Sequence, residues 1–207
     1  DRWCVEFGAW DGIHFSNTRN LILNNNYGAV LIESDSDKFK ELQANYSGYE
    51  KVIAFNRFVG FESRDNLDSI LADTPIPLDF DFLSIDIDGN DYHVWKAMDR
   101  YKPKLICVEY NPTIPTEVNF VQAADMRVNH GASVFALAEL GREKGYELVS
   151  VLPFNAFFVR RELYPLFEIE DNLPGRLRLH NGVITYLFSG YDGTLFVRGH
   201  GKLNWHD

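Results

Sequence analysis

The sequence predicts an α/β fold: a doubly wound sheet of seven strands, five of them parallel and the last two an antiparallel hairpin. Three observations carry this expectation. Short β-rich runs alternate with stretches of helical length from residue 3 to residue 111, the rhythm of parallel strands joined by right-handed crossovers. The runs are almost continuously apolar, as in strands covered on both faces. Beyond residue 145, two more β-rich runs follow each other across a short Pro- and Asn-containing link, too short for a parallel connection.

Each element follows from its residues. WCVEF (3–7) is a strand, and the helix after it, around 17–26, is ended by Gly28. AVLIE (29–33) is the second strand, and Ser36 or Asp37 caps a helix reaching Asn45. KVIAFNRFV (51–59) is the third strand and RDNLDSILAD (64–73) a short helix. FDFLSIDID (80–88) is the fourth strand, DYHVWKAMDRY (91–101) a helix stopped by Pro103, and KLICVEYN (104–111) the fifth strand. A long loop (112–132) precedes a helix at 133–145 and the hairpin strands YELVSVL and NAFFVRREL. Residues 1–163 are expected to form one domain. Residues 164–207 form a β-rich extension packed on it, with SGYDGT as a hairpin turn.

The 207 residues suffice for one well-filled core. No window approaches 18 consecutive apolar residues, so no membrane span is expected. A net charge of −10 argues against a nucleic-acid partner. Cys4 and Cys107 lie in apolar runs and read as core residues of a reducing, cytoplasmic protein rather than a disulfide. Asn45-Tyr46-Ser47 matches a glycosylation sequon that a cytoplasmic protein does not use. A start without Met, almost directly on a strand, suggests a piece of a longer protein.

The most informative stretch is VEFGAWDGIHFSNT (5–18). In a doubly wound sheet the first strand–helix turn lies nearest the ligand, and glycine there lets the backbone approach without a Cβ in the way. Glu33 closes the second strand, where a carboxylate accepts hydrogen bonds from ribose hydroxyls. The spacing Gly8-x-x-x-Gly12 is not the G-x-G-x-x-G of a dinucleotide site. Glu6 and Asp11 would repel a phosphate and suit a cationic nucleoside.

On these residues the chain resembles the class I S-adenosylmethionine-dependent methyltransferases, and among them the FkbM-type and related sugar O-methyltransferase-like families. VEFGAWDG is similar to their first motif, VLIE to the second, and LSIDIDGNDYHVWKAM to the IDVEG segment. The resemblance covers roughly residues 3 to 160 and departs at Asp88-Gly89-Asn90-Asp91, which is richer in acids. It implies a Rossmann-like fold. It also implies that Glu6, Gly8, Ala9, Asp11 and Gly12 hold the methionine part of the cosubstrate, while Ser16, Asn17 and Thr18 bind its carboxylate. Glu33, with Ser34 beside it, would take the ribose, and Phe58 and Val59 would border the adenine.

Asp86 and Asp88, two apart, are expected on one face of the fourth strand, and Glu109 and Asn111 on one face of the fifth. So many acids need a cation: the cosubstrate's own charge or a hard divalent ion. Asp86 with Glu109 and Asn111 is similar to the ligand set of metal-dependent O-methyltransferases, so Mg²⁺ or Mn²⁺ is an expected partner. Asp86 and Asp88 are the candidate catalytic acids, with Asp88 or His130, from the long loop, as general base. His93 is a weaker candidate, and His14, His180, His200 and His206 lack zinc spacing. Phe80, Phe82, Phe157 and Phe158 read as core, whereas Tyr92, Trp95, Tyr110 and Tyr164 could line an acceptor pocket.

The expected reaction is O-methylation of a sugar hydroxyl in a glycan, glycolipid or nucleotide-sugar, such as a deoxysugar of the rhamnose kind. The acceptor is a small molecule or glycan. Fusion to glycosyltransferase domains and a homo-oligomer are further expectations, and the extension is expected to be an acceptor wall or a subunit contact. The rival readings are an NAD-dependent oxidoreductase or epimerase and a non-catalytic module retaining the fold. The missing third glycine counts against the first, the intact acids against the second.

Overall fold

The structure, a computed structural model, describes residues 1–199. His200, His206 and the closing KLNW segment lie outside the described residues. Seven strands hydrogen-bond in the order β3-β2-β1-β4-β5-β7-β6: β1 Trp3–Phe7, β2 Gly28–Glu33, β3 Val52–Asn56, β4 Phe82–Ile85, β5 Leu105–Glu109, β6 Tyr146–Val151 and β7 Asn155–Arg160. The helices between them are α1 Arg19–Asn25, α2 Ser36–Asn45, α3 Leu67–Leu71, α4 Asp91–Ala97 and α5 Val134–Glu143. This is the expected mixed sheet with its antiparallel closing pair. The chain divides into two compact units, residues 1–87 with 93–108, and residues 88–92 with 109 onward.

In the first unit β1 pairs in parallel with β2 and with β4, β2 with β3, and β4 with β5. Every residue of β2 is buried, which explains its unbroken apolar run. In this unit Phe7, Leu31, Ile32, Leu42, Leu83, Ile85 and Trp95 are almost wholly excluded from water, each contributing about 1.5–3 kcal/mol of burial. Cys4 and Cys107 are buried among them, as expected.

Several boundaries differ from the sequence reading, each for a local reason. Asn26, in the left-handed region at φ 56°, ends α1, so Gly28 is not its stop signal. Gly28 begins β2 instead, where an added Cβ would lie 2.9 Å from the Trp3 ring. Helix α2 is capped by Asp35, whose carboxylate accepts from the amides of Asp37 and Lys38, rather than by Ser36 or Asp37. Strand β3 ends at Asn56, short of Phe58 and Val59. Helix α4 stops at Ala97, before Pro103; the Asp68 carboxylate then takes the amides of Asp99, Arg100 and Tyr101. Strand β4 ends at Ile85, because Asp88 (φ 56°) and Gly89 (φ 152°) turn the chain out of the extended state.

In the second unit β6 and β7 pair antiparallel with one register shift between Leu148 and Ser150. Ser133 caps α5 by accepting from the Ala136 amide. Beyond β7 come a 3₁₀ turn at Arg161–Phe167, a short helix α6 at Pro174–Leu177, and a second hairpin, β8 Tyr186–Ser189 with β9 Leu195–Arg198. SGYDGT makes its turn, closed by the Gly190 amide on the Thr194 carbonyl. Among the described residues no helix is long and apolar enough to cross a membrane.

Candidate functional site

The exit from β1 is built by its own side chains. Gly8 adopts φ 71°, and an ideal Cβ there would lie 1.9 Å from the Asp86 carbonyl oxygen, so only glycine lets this turn rest on the end of β4. Trp10 (φ 51°), Gly12 (φ 73°) and Phe15 (φ 56°) are also left-handed. Two bulky residues in that region mark a loop held against its intrinsic preference, a feature that clusters at ligand sites.

Glu6, expected to face the cosubstrate, is instead the buried keystone of this loop. Its carboxylate accepts from Ser16 Oγ at 2.7 Å, Thr18 Oγ1 at 2.6 Å and the Asn17 amide at 2.7 Å. Burial pushes its pKa above the usual carboxylate range, and these bonds pull the other way. Ser16 and Thr18 therefore spend their hydroxyls on Glu6, and Asn17 donates its side-chain amide to Ser84 Oγ at 3.0 Å.

Asp11 fastens the middle of the loop. One oxygen accepts from the amides of Ile13 and His14, both at 2.8 Å, and the other meets His14 Nδ1. Burial alone would raise its pKa, but the His14 ring and the two amides outweigh burial and hold it at about 2. Ala9 is buried and donates its amide to the Ile32 carbonyl. Gly12 faces α2 rather than a ligand: an added Cβ would lie 2.4 Å from Tyr46 Cε2 and 2.5 Å from Leu42 Cδ1, and Tyr46 OH donates to its carbonyl.

Glu33 is placed differently. It is buried at the end of β2, and each carboxylate oxygen accepts one backbone amide, from Trp10 at 2.8 Å and Asp35 at 2.7 Å. A carboxylate offers about four lone-pair sites, so two remain for a pair of neighbouring hydroxyls. Ser34 is exposed, with its carbonyl accepting from Asn56 Nδ2. Phe58 is 52% exposed beyond the end of β3, whereas Val59 is buried. Trp10, which the sequence reading left without a role, both orients Glu33 and carries Lys38 Nζ 4.9 Å above its half-exposed ring. Its signal was an aromatic residue inside a glycine turn. Ser84 was equally missed, though it is the only hydroxyl in the apolar run FLSI.

The second unit holds the other acids. Asp88 and Glu109 each present a carboxylate oxygen within 4.8 Å of the other. Because β4 ends at Ile85, the shared-strand-face argument for Asp86 and Asp88 does not hold; the left-handed turn at Asp88-Gly89 sets Asp88 instead. Desolvation raises the Asp88 pKa. Asn111, expected as a ligand, has its Oδ1 engaged by the amide and hydroxyl of Thr113, at 2.9 and 2.6 Å, and its Nδ2 on the His130 carbonyl at 2.7 Å. His130 is exposed; Gln122 Oε1 accepts from its amide and from that of Gly131. Two carboxylates at this spacing fit a hard divalent cation. His93 lies against the Phe61 ring. Trp95 and Tyr110 are core residues, not pocket walls, and Tyr164 OH donates to the Ile169 carbonyl.

No protein-family model matches the chain, and no curated protein matches it. Solved structures do show similar chains. The yhhF protein of Escherichia coli, assigned to the methyltransferases, is 16% identical over 77% of this chain and 78% of its own, with a TM-score of 0.45. The N-terminal domain of EvdMO1, solved with SAH bound, is 12% identical over 76% of this chain and 72% of its own, TM-score 0.45. A SAM-dependent methyltransferase from Aquifex aeolicus is 9% identical over 76% and 80%, TM-score 0.42.

Proposed function

We propose that the chain is an S-adenosylmethionine-dependent O-methyltransferase acting on a sugar hydroxyl. The carrying observation is Glu33: a buried carboxylate beside a glycine turn at the mouth of a doubly wound sheet, with two acceptor positions left after Trp10 and Asp35 are bound. That is the chemistry of a ribose diol. The turn also lacks the G-x-G-x-x-G cradle that a pyrophosphate needs.

When bound, the cosubstrate supplies a methyl group already activated on sulfur, so the protein's own tasks are orientation and removal of the acceptor's proton. Glu33 and the Gly8 turn orient the donor. Asp88, raised in pKa by desolvation, accepts the hydroxyl proton, with His130 as the other base within the same unit. Alternatively Asp88 and Glu109, both in the second unit, would hold Mg²⁺ or Mn²⁺, which would lower the pKa of a coordinated hydroxyl and leave His130 as the base.

Calorimetry with S-adenosylmethionine, with SAH and with NAD is the first test. Binding of the first two and not the third is expected; NAD binding alone would favour the oxidoreductase reading. A mass-shift screen across sugar acceptors, with and without EDTA, then tests the acceptor and the ion.

A further inference from the structure

Arg178 stands beyond β7 in the C-terminal segment, yet it is almost fully buried. A buried guanidinium normally sits against a carboxylate, because desolvating an unpaired charge is costly. Here, among the described residues, its partners are neutral. Nη1 donates to the Ile114 carbonyl at 2.8 Å and to Thr116 Oγ1 at 3.1 Å, Nη2 donates to the Pro112 carbonyl, and Nε reaches the His180 carbonyl at 3.4 Å. The guanidinium also lies 5.3 Å from the centre of the Tyr110 ring. One side chain thus gathers three acceptors from Pro112–Thr116, and the Thr185 amide adds a fourth bond, to the Thr113 carbonyl at 2.8 Å.

That turn leads into the acid site. Thr113 holds Asn111 Oδ1, Asn111 Nδ2 holds the His130 carbonyl, and Glu109 lies two residues upstream of Asn111. A rigid fork with donors in fixed directions can set such a turn where a lysine cannot, since lysine is a single point charge.

We propose that Arg178 is a positioning residue for the acceptor side: it fixes the Asn111–Thr116 turn, and through it His130 and the end of β5. Residues 174–185 are then part of the acceptor side rather than an appendage. The assignment of this side to the acceptor rests on the methyltransferase reading above.

The test uses the whole chain with Arg178→Met, Arg178→Lys, Arg178→Ala and the milder Thr116→Val. Amide exchange at residues 110–117 and 129–132 is expected to speed at least tenfold in Arg178→Met and less in Thr116→Val, with residues 3–36 unchanged. Lysine does not restore protection. Millimolar guanidinium ion restores it in Arg178→Ala, and urea, its neutral isostere, does not. SAH affinity by calorimetry stays within twofold. With methyl α-L-rhamnopyranoside as the acceptor probe, KM for the sugar rises at least tenfold while KM for S-adenosylmethionine holds. Unchanged exchange at 110–117, equal loosening of 3–36, or equal rescue by urea overturns the proposal. Absence of SAH binding by the unaltered chain would remove the methyltransferase reading alone, since the exchange results judge the clamp independently.

Discussion

Gly8 and Gly12 pose a controlled comparison, because their backbones are nearly alike, φ 71° and 73°, while their surroundings differ. Substituting alanine at either forces a Cβ into the left-handed region, at about 1–2 kcal/mol. At Gly8 the new carbon would stand 1.9 Å from the Asp86 carbonyl oxygen, roughly 1.4 Å inside the closest ordinary C···O approach of about 3.3 Å. Backbone must move, parting the turn from the end of β4. At Gly12 the obstacles are the buried side-chain atoms Tyr46 Cε2 and Leu42 Cδ1, which yield at less cost than backbone. Overpacking that shifts backbone costs about 1–3 kcal/mol, so Gly8→Ala should be less stable than Gly12→Ala by about 2 kcal/mol. For a chain of this length that is a melting gap of about 4–8 °C, read by circular dichroism at one pH. Gly8→Ala should also bind SAH more weakly, because the turn and the Asp86 end shift together. If Gly12→Ala melts as low as Gly8→Ala, the contact with Asp86 is not what requires glycine at position 8.

Four further outcomes follow from the site. Glu33→Ala should weaken S-adenosylmethionine binding by roughly tenfold or more, the loss of one to two hydrogen bonds to a charged acceptor, measured by calorimetry. Asp11, held at about 2 by His14 and Ile13, stabilises the fold above the ordinary carboxylate pKa, and that support fades as pH falls toward 2. Asp11→Asn should therefore flatten the dependence of the melting point on pH between 4 and 2. Asp88→Asn should slow methyl transfer about 10²–10⁴-fold with SAH affinity intact. In the unaltered chain, kcat/KM should rise with pH through an acid limb placed above the usual aspartate range, because desolvation raises the Asp88 pKa.

The strands and the closing antiparallel pair were legible because each buried run carries its own evidence, AVLIE reading as a covered strand; their order across the sheet was not. The ends were not, and β4 shows why. Asp86 and Asp88 keep the alternation of FLSI going on paper, but Asp88-Gly89 is also a turn dipeptide, and the left-handed backbone wins there. The place of Glu33 at the end of β2 was readable because the apolar run AVLIE closes on it. Ser16 and Thr18 were not, since a hydroxyl serves a ligand or a neighbouring carboxylate equally well, and only folding brings Glu6 to them. Arg178 lies more than sixty residues from the turn it gathers, a separation across which no periodicity carries information.

The fastening of Glu6 by Ser16, Asn17 and Thr18 has a kinetic meaning. A mouth already braced before anything arrives has little conformational freedom left to surrender, so a visitor keeps most of its contact energy as affinity. Donor capture should accordingly run as one fast phase, with no slow ordering step behind it.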